Sequence, residues 1–290
     1  MLPVFEGKLQ VCHHEGAIMS IDTTQSPFTE VIRTGPYQIR FPKRDGLDQD
    51  EEWCEVEIDG VWKRVRFHDY DVIYRIPGLY ETIFYRTLRC TSPTVVNALL
   101  RVVLLERAQK AEELCVLDFG AGNGMAGEAL QTLGIRRIFG VDILPEAQEA
   151  ALRDRPWVYN DYFVTDLNRW DPAVRLPLEA ANINTLVTVA ALGFGDIPVR
   201  AFYNAFNLIQ EPGWVAFNIK EDFLDDGARG GFAGLIGMMR RRGILRIDIF
   251  KRYCHRLAIT GESLFYIAVV ARKLKDIPPE LLAQVEHTVR

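Results

Sequence analysis

The sequence predicts an α/β protein. It calls for a mainly parallel sheet of seven strands with helices on both faces, closed by an antiparallel hairpin and preceded by a small β-rich extension. Three observations carry this. From about residue 92, short apolar runs alternate with helix-forming runs, the pattern of successive βαβ units. At the far end, two β-rich runs, 244–255 and 263–271, follow each other with no helix between them. Consecutive strands without a crossover pair antiparallel. Between these regions, an apolar strand runs into glycines at 120, 122, 124 and 127 and restarts as a helix.

In chain order, Thr34–Phe41 reads as a strand and Trp53–Phe67 as a hairpin, with Asp59-Gly60 supplying the positive φ of a tight turn. A tyrosine-rich segment, Tyr70 to Arg86, then leads into the main unit. The acidic stretch Asp45 to Glu52 reads as a solvated loop. A helix over Ser92–Gln109 precedes the first strand, Leu114–Phe119, and a second helix starts near Glu128. Strands follow at Arg137–Asp142, Asp161–Asp166, Ile183–Ala190 and Trp214–Ile219. Pro145 suits the first turn of the helix after the second strand, where its missing N–H would be unpaired anyway. Helices are expected at Val199–Ile209 and Gly231–Arg242, and Arg240, Arg241 and Arg242 before Gly243 suit a helix end with its orphan carbonyls. Ile259-Thr-Gly-Glu262 turns the closing hairpin. The divisions implied are 1–79 for the extension, 80–274 for the α/β unit, and 275–290 for a tail compatible with a helix.

Composition excludes several classes. At 290 residues and 48% hydrophobic content the chain can bury a full-sized core. A net charge of −5 argues against a broad nucleic-acid-binding face. No apolar run reaches the roughly 18 residues of a membrane span, and no export signal opens the chain. Five cysteines without a C-x-x-C pair read as reduced thiols in a cytoplasmic protein. Cys12-His13-His14 lacks partners at metal-like spacing, so no metal is expected.

The glycine turn marks a nucleotide-like ligand, because a strand ending in glycines before a helix aims bare N–H groups and a positive helix end at one point. Two frames fit it. Gly122-Asn-Gly124-Met-Ala-Gly127 satisfies the dinucleotide pattern G-x-G-x-x-G, with Asp142 at the distance of a ribose-binding acid. Asp118-x-Gly120-x-Gly122-x-Gly124 instead places an acid two residues before the first glycine. Charge chooses between them: a carboxylate beside the loop repels a pyrophosphate and attracts a cationic sulfonium and amino group. Asp118, Asp142 and Asp166 end successive strands at intervals of 24 residues (142 − 118 and 166 − 142), about one βαβ half-unit. Taken singly, Asp142 could cap a helix, Asp166 could open the turn before Trp170, Gly127 reads as a packing glycine, and Asn123 could tolerate a left-handed conformation.

The second frame resembles motif I of the class I S-adenosylmethionine-dependent methyltransferases, a Rossmann-like fold. The resemblance covers roughly residues 80 to 272. It implies S-adenosylmethionine as cofactor, with S-adenosylhomocysteine as product. It also implies binding by Asp118, Phe119, Gly120, Ala121, Gly122, Asn123 and Gly124 of motif I. Asp142 would take the ribose hydroxyls, Ile143 would pack on the adenine, and Asp166 with Leu167 would hold the adenine edge. Ala190 and Ala191 would border the site after the fourth strand. Tyr80, Tyr85 and Arg86 precede the loop and could cover the methionine end, Tyr85 counting among the cofactor contacts. Val187–Pro198, Glu211-Pro-Gly-Trp-Val-Ala-Phe and Tyr253–Gly261 are also similar to the methyltransferase-like proteins of the Williams–Beuren region type.

The loop after the fourth strand, Ala-Leu-Gly-Phe-Gly, lacks the Asn/Asp-Pro-Pro-Tyr signature of nucleobase amino-methyltransferases. This implies a small-molecule acceptor methylated on oxygen or nitrogen, with a protein side chain behind it. A base is needed only if the acceptor must lose a proton. Asp196, Lys220, Glu221 and His255 are the candidates by position, and Asp222–Phe232, with three glycines, could act as a lid. The alternatives are an NAD-dependent oxidoreductase and a catalytically silent cofactor-binding scaffold. The extension could cap the sheet or pair with a second subunit as a homodimer.

Overall fold

The computed structural model describes residues 26–43, 46–192, 197–221 and 231–288. Its main sheet is assembled from β5 (Cys115–Phe119), β6 (Arg137–Asp142), β7 (Asp161–Val164), β8 (Thr185–Thr188), β9 (Gly213–Lys220), β10 (Leu245–Leu257) and β11 (Ser263–Lys273). The order across the sheet is β10-β11-β9-β8-β5-β6-β7. All neighbours from β9 to β7 pair parallel, and β11 is inserted antiparallel to both β9 and β10. The closing hairpin therefore reverses one strand only, since β10 runs with the rest. It also carries register shifts between Ile247 and Ile249 and between Cys254 and Arg256. β5 and β8 are buried along their whole length. Strands covered on both faces favour apolar residues, and the pairs Val116-Leu117 and Leu186-Val187 make these two legible in the sequence.

One face of the sheet carries α6 (Val199–Leu208), α7 (Gly231–Arg241) and α8 (Pro279–Thr288); α8 is the helix of the tail. On α6, Phe202 and Phe206 lie one turn apart and are buried to 1% and 0% exposure. Each such side chain contributes roughly 2–3 kcal/mol by leaving water. The opposite face carries α2 (Ser92–Glu106), α3 (Met125–Thr132) and α4 (Pro145–Asp154). Among the described residues no single helix is long and apolar enough to cross a membrane.

The chain before α2 builds a separate antiparallel meander of β1 (Ile32–Thr34), β2 (Tyr37–Arg40), β3 (Trp53–Ile58) and β4 (Val61–Arg66). Thr34–Phe41 is not one strand: Gly35, at φ +60°, turns the chain between β1 and β2. The β3–β4 turn is as expected, with Asp59 at φ +54° and Gly60 at +78°. The inner face of this sheet, including Ile39, Cys54, Val56 and Val65, packs on Phe67, Ile73, Ile83 and Phe84 and on Ile259 from the β10–β11 turn. One core thus runs across residue 80. It is fastened by a buried ion pair, Arg256 to Glu52 at 2.5 Å, with Glu52 also accepting the Ile259 N–H at 2.7 Å. Glu52 is 2% exposed, so the acidic stretch does not end as a solvated loop.

Among the described residues, four helical elements escaped the sequence reading, one of them the 3-10 turn Ala111–Glu113. α1 (Tyr70–Arg75) and the π-helical turn Glu81–Thr87 lie in the tyrosine-rich segment, and α5 (Pro172–Ala180) bridges β7 to β8. Pro177 inside α5 masks it, while Asp171 caps it by accepting the Ala173 N–H at 2.8 Å.

Candidate functional site

The carboxyl ends of β5, β6 and β8, with the loop after β7, surround a cavity of about 310 Å³. That is where open α/β sheets bind ligands, and the size is at the lower end for ligand pockets. Each strand supplies the residues at its end: Phe119 and Gly120; Asp142 and Ile143; Asp166 and Leu167; Ala190 and Ala191. The start of α6 closes one side with Ile197, Pro198 and Ala201. The other wall comes from the extension: His68, Tyr70, Tyr74 and Tyr80.

The glycine turn adopts the conformation its residues predict, with Gly120, Gly122 and Gly124 at φ +72°, +53° and +90°. Only Gly120 faces the cavity. A Cβ at Gly122 would lie 2.5 Å from the Tyr74 hydroxyl, so the close approach this glycine allows is used by the protein's own tyrosine. Ala121, Asn123 and Gly124 also lie outside the lining. Asn123 is not left-handed. Its side-chain amide instead donates to Glu81 at 2.8 Å, and Glu81 pairs with Arg155 at 2.7 Å. Arg155 also holds Glu128 of α3. The π-helical turn thereby clamps the loop. Gly127 packs as expected: a Cβ there would meet Val158 at 2.5 Å.

The three acids divide. Asp142 lines the cavity and holds the loop, accepting the Gly122 N–H at 2.9 Å on one oxygen and the Leu144 N–H at 3.0 Å on the other. Burial pushes its carboxyl up, and the amides of Leu144, Gly122 and Ile143 pull it part of the way back. It does not cap α4, whose N-cap is Leu144. Beside it Ile143 is 61% exposed, a large apolar side chain at the cavity's lip. Asp166 also lines the cavity and accepts both the backbone and side-chain N–H of Asn168, which stabilises the turn before Trp170.

Asp118 is different. Successive strand residues point to opposite faces, so with Phe119 in the cavity Asp118 points behind it. There it is fully buried, with one oxygen accepting from Tyr159 at 2.8 Å and the other without a partner among the described residues. Burial raises its pKa from 3.8 to about 7; the Tyr159 hydroxyl opposes the rise and nearby Asp142 adds to it. A folded-state pKa above the unfolded one makes stability fall as pH rises from about 4 to 7. Asp118→Asn is therefore expected to melt at a higher temperature than the wild type at pH 8 and to lose most of that advantage at pH 4. Thermal scans at the two pH values check this, and a lower melting temperature at pH 8 contradicts it.

A second cavity of about 40 Å³ adjoins the first, sharing His68, Tyr70, Tyr80 and Ala190 with it. His255 lines it, 5% exposed, with its ring 4.1 Å from that of Tyr266. A directed hydrogen-bond chain fixes its tautomer. Asn218 accepts the Ala190 N–H at 2.6 Å, so its NH₂ faces Tyr253 at 2.9 Å and Ser92 at 3.3 Å. An NH₂ only donates, which leaves Ser92 Oγ, at 2.6 Å, as the acceptor for the Tyr253 hydroxyl proton. Ser92 then donates to His255 Nδ1 at 2.5 Å, and the Cys90 sulfur lies 3.8 Å from the same nitrogen. Nε2 carries the ring proton. Burial lowers the pKa of His255 to about 3. The ring presents an N–H rather than a lone pair, and His255 is corrected from a candidate base to a hydrogen-bond donor.

The remaining candidates lie elsewhere. Tyr85 packs in the core beneath the small sheet, and Arg86 packs against the Gly35 turn; neither lines the cavity. Glu221 pairs with Arg252 at 2.7 Å. Lys220 ends β9 opposite Tyr266. Asp196, most of the expected lid (222–230) and Cys12-His13-His14 lie outside the described residues. The sequence reading missed His68, Tyr70, Tyr74, Ser92 and Asn218. Tyr70 and Tyr74, four apart, carry the spacing of one helix face, which was the available signal.

Among solved structures, the chain is similar to the N-methyltransferase NodS of Bradyrhizobium japonicum in complex with S-adenosylhomocysteine. The two are 13% identical, the match covers 71% of this chain and 97% of that one, and the TM-score is 0.50. It also matches an S-adenosylmethionine-dependent methyltransferase of Anabaena variabilis (15% identity, 62% and 85% covered, TM-score 0.43). A third match is the magnesium protoporphyrin IX methyltransferase of Synechocystis with bound S-adenosylmethionine (13%, 62% and 79%, 0.42). No family model and no curated protein matches the chain. At these identities the likeness is one of fold: the chain has the class I S-adenosylmethionine-dependent methyltransferase fold.

Proposed function

We propose that the protein is a methyltransferase using S-adenosylmethionine on a small-molecule oxygen or nitrogen acceptor. The observation that supports this most is the Asp142 carboxylate at the end of the second strand, inside the cavity and next to the exposed Ile143. A carboxylate offers about four lone-pair sites, and the Gly122 and Leu144 amides engage one on each oxygen, which leaves acceptor capacity for ribose hydroxyls. Asp166 Oδ2, which makes no hydrogen bond among the described residues, can accept an adenine amino group.

When bound, the cofactor supplies an electrophilic methyl group for an in-line displacement. The chain's own part is to hold the nucleoside, exclude water with Tyr70, Tyr74 and Tyr80, and set acceptor and donor in near-attack geometry, an effect that can supply several kcal/mol. The buried Asp118 has no line to the cavity and serves the loop from behind. Within the class, we place the protein nearest the Williams–Beuren region type on its sequence likeness, in a reducing compartment suited to its free thiols.

An oxidoreductase reading is disfavoured by the antiparallel β11 wedged between β9 and β10, where a dinucleotide fold continues parallel. The silent-scaffold reading has one observation in its favour, the Tyr74 hydroxyl lying over Gly122. Calorimetric titration separates the methyltransferase from the oxidoreductase reading, and a silent scaffold is told apart by cofactor binding without turnover on any acceptor. S-adenosylmethionine and S-adenosylhomocysteine are expected to bind at micromolar concentration and NAD not to bind. NAD binding with no heat from the other two overturns the proposal.

A further inference from the structure

The second cavity has a chemistry of its own. Beside His68, Cys90 and the tyrosines, its polar groups include two from elements far apart in sequence: Gln49 from the loop before β3 and His255 from β10. Gln49 donates through Nε2 to the Tyr266 hydroxyl at 2.8 Å, while its Oε1 is buried without a partner among the described residues. The His255 ring is turned by Ser92 so that Nε2–H is the free end of the chain, and that nitrogen makes no hydrogen bond among the described residues. Arg256, which also borders the space, is neutralised by Glu52 at 2.5 Å and donates to the Leu257 carbonyl. The remaining walls include Phe67 and Phe84. A donor and an acceptor, both desolvated, thus face a space walled largely by aromatic side chains.

We propose that this cavity is an acceptor-binding subsite for a neutral hydroxyl on an aromatic or otherwise apolar carbon frame. The hydroxyl oxygen accepts from His255 Nε2–H, and the hydroxyl proton is donated to Gln49 Oε1. A hydroxyl does both through a single atom, whereas a methyl, a carboxylate or an ammonium group does not. The space of about 40 Å³ is roughly three times what one water needs, so it holds the hydroxyl and its nearest carbons only. The rest of the molecule lies toward Tyr70 and Tyr80, which border both cavities. Charged analogues are excluded, because an anion meets the unpartnered Gln49 oxygen and a cation meets the imidazole N–H. The subsite's role in methyl transfer rests on the function proposed above, whereas its selectivity for a hydroxyl does not.

The test uses the full chain with and without S-adenosylhomocysteine, and phenol, toluene and benzoate as probes, read by ligand-observed NMR titration. Phenol is expected to bind at least tenfold more tightly than toluene or benzoate. Gln49→Leu and His255→Phe are each expected to erase the phenol–toluene difference while keeping the wild-type melting transition. Gln49→Leu alters a partly exposed side chain and keeps the test valid if His255→Phe does not fold. ¹⁵N spectra of the imidazole are expected to show the proton on Nε2. Equal binding of phenol and toluene, benzoate binding as tightly as phenol, or a proton on Nδ1 overturns the subsite. If S-adenosylhomocysteine gives no response but phenol selectivity persists, the methyltransferase reading fails and the subsite stands.

Discussion

Asp142→Ala is expected to weaken S-adenosylhomocysteine binding by on the order of 100-fold. Hydrogen bonds to charged groups contribute about 1.5–3 kcal/mol each. Two ribose hydroxyls on one carboxylate therefore amount to about 3 kcal/mol, and each 1.4 kcal/mol is about tenfold in affinity. Part of the loss has a second source. Asp142 also ties the Gly122 and Leu144 amides at 2.9 and 3.0 Å, so its removal frees the glycine turn from the second strand. Asp142→Asn separates the two effects, because it keeps one oxygen acceptor and loses the charge. It is expected to bind more tightly than the alanine variant and less tightly than the wild type. Calorimetry on all three gives the ranking, and an alanine variant within threefold of the wild type removes Asp142 from the ligand.

Arg256→Ala is expected to destabilise the protein by about 3–5 kcal/mol, the cost of leaving a charge buried alone. The partner is Glu52, 2% exposed, which keeps only the Ile259 N–H at 2.7 Å once the guanidinium is gone. The pair joins the small sheet to the β10–β11 hairpin and borders the cavity that contains Gln49 and His255. Its loss therefore loosens the extension first and the second cavity with it. The double change Glu52→Gln with Arg256→Met is expected to recover most of the stability, since no unpaired charge remains. Urea unfolding measures this. A single-variant loss below about 1 kcal/mol would show that Glu52 reaches water or a new partner.

What the sequence made legible follows the physics of each element. β5 and β8 are legible through the apolar pairs at their centres, Val116-Leu117 and Leu186-Val187, in strands buried along their whole length. The glycine turn is written in residues that accept φ of +53° to +90° at no steric cost. Asp142 and Asp166 end their strands in register and reach the cavity. The hairpin was readable because no helix separates β10 from β11, although the reversal of a single strand was not. Charge and the resemblance to motif I assign Asp118 to the ligand, but strand alternation turns it toward Tyr159 instead. The tyrosine wall was hidden because Tyr70, Tyr74 and Tyr80 lie in short helical turns whose role depends on how the extension folds back over the sheet. His255 was seen, but its tautomer depends on Asn218, Tyr253 and Ser92, which meet only in three dimensions. Long-range hydrogen bonding of that kind leaves no periodic trace.

The most direct test is a crystal structure of the protein with S-adenosylhomocysteine. The nucleoside is expected in the cavity between Phe119 and Ile143, with ribose hydroxyls on Asp142, the adenine amino group on Asp166, and the sulfur end under Tyr74 and Tyr80. Electron density elsewhere, or Tyr74 still seated on Gly122 with the cavity empty at saturating ligand, would contradict the account.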